Sequence, residues 1–379
     1  MLKNLVITKQ VIAYWFVLAL GLIAIAAKYK YNGLVFGFDY GMYQPDGKYY
    51  TYMALDFINN DSKQSAQSVV NWYATHGFKG NIFQVSDLVP DTSPVYQFIS
   101  NRILYPILSI PFVYMFGIPG MIVVPALSFL LLLYVVLRLS SRYNRIYVGV
   151  IICFVLSISP TVMRWMVVNT TDALLVGLFS YSVILLTDLK SNTKIAYLQL
   201  FPLIILTAAT RFSLVFWVAI GLVLFIHRKK LLAICILIVA FICSIPALNT
   251  TLSVSLLPNA KELSTIEKIL SLPISFFKVI FIDIAQLAVL DRAFLAFLIT
   301  GVLLAIIQIR NVASQYFVAV LIAGYILGAI NGTLGVNFRY QMPAIPFCAW
   351  AIISSLSLLS AKPVLFSFLR PHIKTQEAQ

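Results

Sequence analysis

The chain is expected to fold as an all-α, polytopic transmembrane helix bundle with about ten spans, and three observations lead there. Hydrophobic residues fill 61% of its 379 positions and charged residues only 11%, with a mean hydropathy of +0.92. A soluble domain of this size has no core large enough to hide that much apolar surface. Apolar stretches of spanning length recur along the chain, and Lys and Arg gather in alternate short connections.

A crossing needs roughly 17 to 25 mostly apolar residues. Such stretches fall at 11–27, 120–137, 146–163, 173–189, 195–210, 212–226, 231–247, 293–309, 316–333 and 342–361. Two more are ambiguous. The stretch 103–118 is short and carries Pro106 and Pro111, and 272–290 carries Lys278 and Asp283. Both are expected to be half-inserted or interfacial. The first stretch follows a basic start and contains Ala24 to Ala27, so a cleaved signal peptide is conceivable; its length and its place in the alternation favour a retained anchor.

Orientation follows from the basic loops, because Lys and Arg collect on the cytoplasmic side. If the ten spans alternate, Lys3, Lys9, Arg138, Arg142, Arg145, Lys190, Lys194, Arg228, Lys229, Lys230, Arg310, Lys362, Arg370 and Lys374 share one side with only Asp188 and Glu377. The other side holds basic and acidic residues in near balance. The net charge of +14 is thereby explained without nucleic acid. The expected location is the inner (plasma) membrane, multi-pass, with both termini cytoplasmic. Cys153, Cys235, Cys243 and Cys348 lie in apolar spans without metal-ligand spacing and read as packing residues.

Nothing suggests more than one domain over 1–379, but the connections are uneven. Residues 28–101 form one long polar loop after the first span, with Asp39, Asp46, Asp56, Asp61, Asp87 and Asp91 among them. Trp72 and many tyrosines and phenylalanines argue for order there, and the spacing of Ala54, Leu55, Phe57 and Ile58 predicts a juxtamembrane helix. A second outer segment, 248–290, contains Ser264-Thr265-Ile266-Glu267, a capping box, followed by the amphipathic pattern Ile269, Leu270, Leu272, Ile274, Phe277. That composition predicts an interfacial helix, serving either as a cover for the bundle or as a guide for a lipid.

The polar residues at the outer ends of the spans are Arg102, Arg164, Asn169, Asp172, Arg211, Asp291, Arg292, Arg339 and Tyr340. Ionisable groups at membrane depth are costly and are candidates for function by default. Each could instead snorkel to the interface or pair locally, as Arg164 with Asp172 or Asp291 with Arg292. Collected on one face, several arginines with a few carboxylates make a site suited to phosphate.

Five short elements, in order, are similar to those of the GT-C superfamily of integral-membrane glycosyltransferases. They are Asp46-Gly47-Lys48-Tyr49-Tyr50 with Met53-Ala54, Asn101-Arg102-Ile103-Leu104-Tyr105-Pro106, Ser159-Pro160 with Arg164 and Thr171-Asp172-Ala173, Thr210-Arg211, and Phe338-Arg339-Tyr340-Gln341-Met342-Pro343. The resemblance covers roughly residues 10 to 345. One departure stands out: Gly47 occupies the place where many members have a second acid beside the first, which leaves Asp39 or Asp46 as the catalytic carboxylate.

The resemblance implies transfer of a single sugar from a polyprenyl-phosphate donor to a glycan, lipid or protein acceptor on the extracytoplasmic face, with inversion. The donor already carries a good leaving group, so such a site needs a base for the acceptor hydroxyl and cations for the departing phosphate. Asp46 is the first candidate base, although Pro45-Asp46-Gly47 is also a turn signature; Asp39 is the second, as base, orienting partner or sugar ligand. Arg102, Arg211, Arg339 and Tyr340 are the candidates for the phosphate, since guanidinium can grip it in a fork. Arg164, Asp172, Asp291 and Arg292 are candidates for holding the acceptor or orienting the others. His76, His227 and His372 are too scattered for a metal site, so no cofactor is expected, a divalent ion at Asp39 and Asp46 being the minor alternative. A transporter or flippase for a lipid-linked or anionic molecule is the rival class; no internal repeat of the kind such proteins carry is visible.

Overall fold

The structure is a computed structural model, and it describes residues 2–36, 46–75, 84–88, 96, 99–188, 194–255, 265–330 and 338–361. Among them every regular element is helical: α1 Leu2–Phe36, α2 Gly47–Asn59, α3 Ser62–Thr75, α4 Leu104–Phe116, α5 Val123–Arg142, α6 Ile146–Ile158, α7 Pro160–Met166, α8 Thr171–Asp188, α9 Lys194–Thr210, α10 Leu214–Ile226, α11 Lys230–Ser255, α12 Thr265–Leu290, α13 Arg292–Ile307, α14 Val312–Ile330 and α15 Ile345–Ala361. Short 3₁₀ turns at Val85–Asp87, Ile118–Ile122 and Met342–Ala344 precede or join them.

Among the described residues six helices are long and apolar enough to cross a membrane, and a seventh crossing arises if α6 and α7, bent by 74° at their junction, count as one span. Five further apolar helices are shorter, at 10–17 residues. The ten expected spans are therefore not all matched by helices of spanning length; the helices Leu214–Ile226 and Arg292–Ile307, for example, are only 13 and 16 residues long. One of the six falls within the stretch expected to be interfacial: residues 272–290 inside α12 pass on length and apolarity despite Lys278 and Asp283.

Inside the bundle α8 and α15 are central, with 78% of each span buried, whereas α1 and α12 are peripheral at 11% and 17%. The apolar faces of the outer helices, such as Ile12, Trp15 and Phe16 on α1 and Ile274, Phe277 and Phe281 on α12, are therefore turned outwards, as a lipid solvent permits. Lipid does not drive helices together as water does, so close approach depends on small residues. At the α5–α8 crossing a β-carbon on Gly177 would stand 3.0 Å from Cβ of Ser128.

Among the described residues the ion pairs lie at the two ends of the bundle. At one end Arg142 pairs with Asp188, Trp350 Nε1 donates to Tyr143 Oη at 3.2 Å, Asn311 donates to Ser354 at 2.8 Å, and His227 Nε2 lies 2.7 Å from Gln315 Oε1. The other end carries Asp46, Asp172, Arg211 and Arg339. Helix α8 joins the two layers, with Asp172 in its first turn and Asp188 at its last residue; at ~1.5 Å per residue the layers are about 24 Å apart along it. The basic residues Arg142, Arg145 and Arg310 thus fall at the end opposite the candidate site.

Within the first long loop the expected helix is present as α2, burying Tyr49, Tyr50, Tyr52, Met53 and Ala54. It stops at Asn60, which takes left-handed dihedrals. Asp61 Oδ1 then accepts the backbone N–H of Lys63 and Gln64, both at 3.0 Å, and starts α3. In the second outer segment the helix begins at Thr265; Ser264 of the capping box lies outside the described residues.

Candidate active site

Asp172 is the hub of the polar end. It opens α8 and is 2% exposed. Its Oδ1 accepts from Arg211 Nη1, and its Oδ2 accepts from Arg339 Nε at 3.0 Å, with Arg339 Nη2 at 2.9 Å. Both oxygens are engaged by guanidinium, so the carboxylate is available neither to Arg164 nor as a base. Local sequence makes this possible: Thr171 and Asp172 start α8, while Arg211 follows the last residue of α9 and so reaches the same level.

Arg339 links Asp172 to the first loop. Its Nη2 donates to Asp46 Oδ2 at 3.1 Å, and its guanidinium lies 4.8 Å from the centroid of the Trp165 ring. Burial opposes the charge on Arg339, but the Asp172 and Asp46 carboxylates outweigh it and push the pKa upwards. Arg211 is stacked in the same manner, 4.7 Å over the ring of Tyr340. Aromatic faces and carboxylates together hold both guanidinium groups in fixed planes.

Asp46 occupies the N-cap position of α2 yet makes no side-chain cap. The start of α2 therefore accounts for the backbone of Asp46 and not for its carboxylate, whose Oδ2 accepts from Arg339; Pro45 of the expected turn lies outside the described residues. Its side chain is 37% exposed, against 2% for Asp172, and Oδ1 takes no hydrogen bond among the described residues. Gly47 is required by packing: a β-carbon there would sit 2.1 Å from Nδ2 of Asn169. Asn169 in turn donates to Tyr73 Oη at 3.1 Å. This contact explains why a second acid cannot follow Asp46.

Arg102 is carried by the turn before α4, and its Nη1 donates to Tyr50 Oη at 3.0 Å. Tyr50 is fully buried and meets Tyr105 edge-on at 5.4 Å. Burial works against the charge of Arg102, while Tyr50, Asp46 and Asp172 favour it and raise its pKa. Lys48, beside Asp46, is lowered by burial against the pull of Asp87 and Asp46.

The other candidates stand apart. Arg164 is exposed and touches the group only through Trp165, 5.5 Å from its ring. Asp291 is a structural joint: Oδ1 caps α13 by accepting Phe294 N–H at 3.1 Å, and Oδ2 accepts from the Ser159 hydroxyl and from Thr161 N–H, the latter at 3.0 Å. It pins the bend between α6 and α7 to the start of α13. Arg292 is exposed and donates to Ala288 O at 3.2 Å, not to Asp291. Asp39 lies outside the described residues. Sequence reasoning passed over Trp165 and Tyr73; the sole sign of Trp165 was its position beside Arg164.

A narrow cleft of about 10 Å³ lies between Asp172, Arg211, Leu327, Arg339, Tyr340 and Pro343, far below the ~300 Å³ at which small-molecule pockets begin. A larger groove of about 230 Å³ runs between α1 and α5, past Tyr14, Trp15, Leu133 and Tyr134. It is apolar and lies towards the opposite end of the bundle, so it suits a lipid tail and not chemistry. Among the described residues no three His, Cys, Asp or Glu side chains come together as a metal site, and the four cysteines are free. Compared with protein-family models and with curated proteins, the chain finds no match.

Proposed function

We propose that the protein is an integral-membrane glycosyltransferase of GT-C type that moves one sugar from a polyprenyl-phosphate donor to an extracytoplasmic acceptor. The observation that carries this reading is the chain Asp46–Arg339–Asp172–Arg211: a partly exposed carboxylate next to two cations that are oriented in advance. The acceptor oxygen forms its bond to the anomeric carbon as the bond from that carbon to the phosphate oxygen breaks. Asp46 takes the hydroxyl proton, the bond's electron pair leaves with the polyprenyl phosphate, and a single displacement inverts the centre. Asp39 remains the alternative base.

Arg339 and Arg211, with Tyr340 beneath the latter and Arg102 nearby, receive the phosphate. Asp172 holds both guanidinium groups while the cleft is closed, so an incoming phosphate competes with it and widens the cleft. Once the phosphate has replaced Asp172, the two guanidinium groups, still held against Trp165 and Tyr340, stabilise the charge that develops on the leaving oxygen.

In the membrane we propose about ten crossings: α1, α5, α6 with α7, α8, α9, α10, α11, α13, α14 and α15. Helices α4 and α12 then lie at the site end. What supports the count is that Asp291, directly after α12, contacts Ser159 at the site end, and that Asn101, before α4, donates to Pro246 O in α11 at 3.5 Å. The basic end is cytoplasmic by the positive-inside rule, which puts both termini there and the site outside. The test is incubation of the purified protein in lipid with a panel of polyprenyl-phosphate sugars and acceptors. Release of polyprenyl phosphate is expected with at least one pair, and a protein that releases none but carries the lipid across vesicles belongs to the transporter class.

A further inference from the structure

Phe338 has φ of +64°, in the left-handed region that a bulky side chain seldom adopts. It immediately precedes Arg339, so its backbone decides where that guanidinium is aimed. Strain of this kind persists only where the surroundings fix it. The ring is fixed on one side: it is 1% exposed and meets Phe294 edge-on at 5.2 Å.

The backbone is fixed from the other side by Asp283 of α12. Its Oδ1 accepts the N–H of Phe338 at 3.4 Å. Asp283 is 3% exposed, and its Oδ2 has no hydrogen-bond partner among the described residues. Burying a half-satisfied carboxyl is costly, and an apolar residue would pack α12 against α14 without that cost. The Phe338 N–H is what an apolar residue could not hold. Gln286, one turn further along the same face, has its Oε1 also buried and without a partner among the described residues.

We infer that Asp283 is a positioning residue for Arg339, holding Phe338 in the left-handed turn from which Arg339 reaches Asp172 and Asp46. The bearing on donor binding rests on the proposed function; the geometric statement does not. The protein in lipid nanodiscs is tested as wild type and as Asp283→Asn, Asp283→Ala and Asp283→Leu, the last to separate a cavity from a lost hydrogen bond. Phenylglyoxal modification of Arg339, read by peptide mass spectrometry, reports its placement with no reference to activity.

Asp283→Asn keeps an oxygen for the Phe338 N–H and brings a donor towards Gln286, so Arg339 stays as protected as in wild type. Asp283→Ala and Asp283→Leu release the turn, and Arg339 reacts faster by about tenfold, the scale of one lost hydrogen bond to a charged group. The same two variants raise the donor KM, or the Kd for farnesyl phosphate, by a similar factor with little change in kcat. In an Arg339→Ala background they add nothing, since the two residues act through one contact. Equal protection of Arg339 in all variants, loss of protection in Asp283→Asn, or KM effects that multiply with Arg339→Ala each overturn the inference. If wild type binds no farnesyl phosphate, the proposed function fails and the modification rates alone decide the role of Asp283.

Discussion

Arg339 Nη2 stands 3.1 Å from Asp46 Oδ2, across 293 positions of sequence. Through this contact the one partly exposed carboxylate of the group is attached to the buried pair formed by Asp172 and Arg211. A partly exposed carboxylate and two arginines are thereby held at one end of the bundle, on the start of α2, the end of α9 and the turn before α15, around Asp172 of α8.

Replacement of Asp46 by Asn keeps the shape and the hydrogen bond from Arg339 but removes the base. Turnover is expected to fall by roughly 10²- to 10⁴-fold, the usual loss for general-base removal, while binding of polyprenyl phosphate persists. Asp39→Asn, measured alongside, loses less if Asp39 only orients the site. The reverse ranking moves the base to Asp39, and normal transfer by both variants removes the glycosyltransferase reading.

Arg339→Lys keeps the charge but loses the fork that reaches Asp172 and Asp46 together, and the flat contact with Trp165. Donor KM is expected to rise by about 10- to 100-fold, one or more charged hydrogen bonds, with a monodisperse protein after extraction. Arg211→Lys is milder, because Arg211 holds Asp172 by one contact. A variant that aggregates instead of losing donor affinity marks Arg339 as structural.

Gly47→Ala forces a methyl group against the Asn169 amide and is expected to cost about 1–3 kcal/mol, as overpacking does. Since Asp46 is the preceding residue, transfer should fall as well. Asn169→Ala in the same chain removes the obstructing amide and restores part of the melting temperature in a thermal unfolding series. Strict additivity of the two changes would mean that the contact carries no energy.

Lys229 and Asp46 are expected on opposite sides of the membrane. Single cysteines at these positions, in a chain lacking Cys153, Cys235, Cys243 and Cys348, should react with an impermeant maleimide from opposite sides of sealed vesicles. Labelling of both from one side inverts the orientation argued from the basic loops.

Composition and apolar runs alone determined that the chain is helical and built for a membrane, because a spanning helix is a local property: its length and apolarity are written in consecutive residues. The same local logic marked Arg102, Asp172, Arg211 and Arg339, since a charge at the end of an apolar run is visible without knowing its neighbours. Which charges meet was not legible. Asp172 and Arg164 are eight positions apart and looked like a pair, yet Asp172 takes Arg211 and Arg339, and Asp291 leaves Arg292 to cap α13 and pin the α6–α7 bend. Nor was the number of crossings legible, because apolar helices of 10–17 residues look like spans in sequence although only six, or seven with the bent pair, are long enough by themselves among the described residues. Tertiary structure alone decided that Gly47 leaves room for Asn169 and that Phe338 is held left-handed before Arg339. The physical reason is the same in each case: these contacts join helix ends separated by tens to hundreds of residues, and no periodicity along the chain encodes which ends the packed bundle brings together.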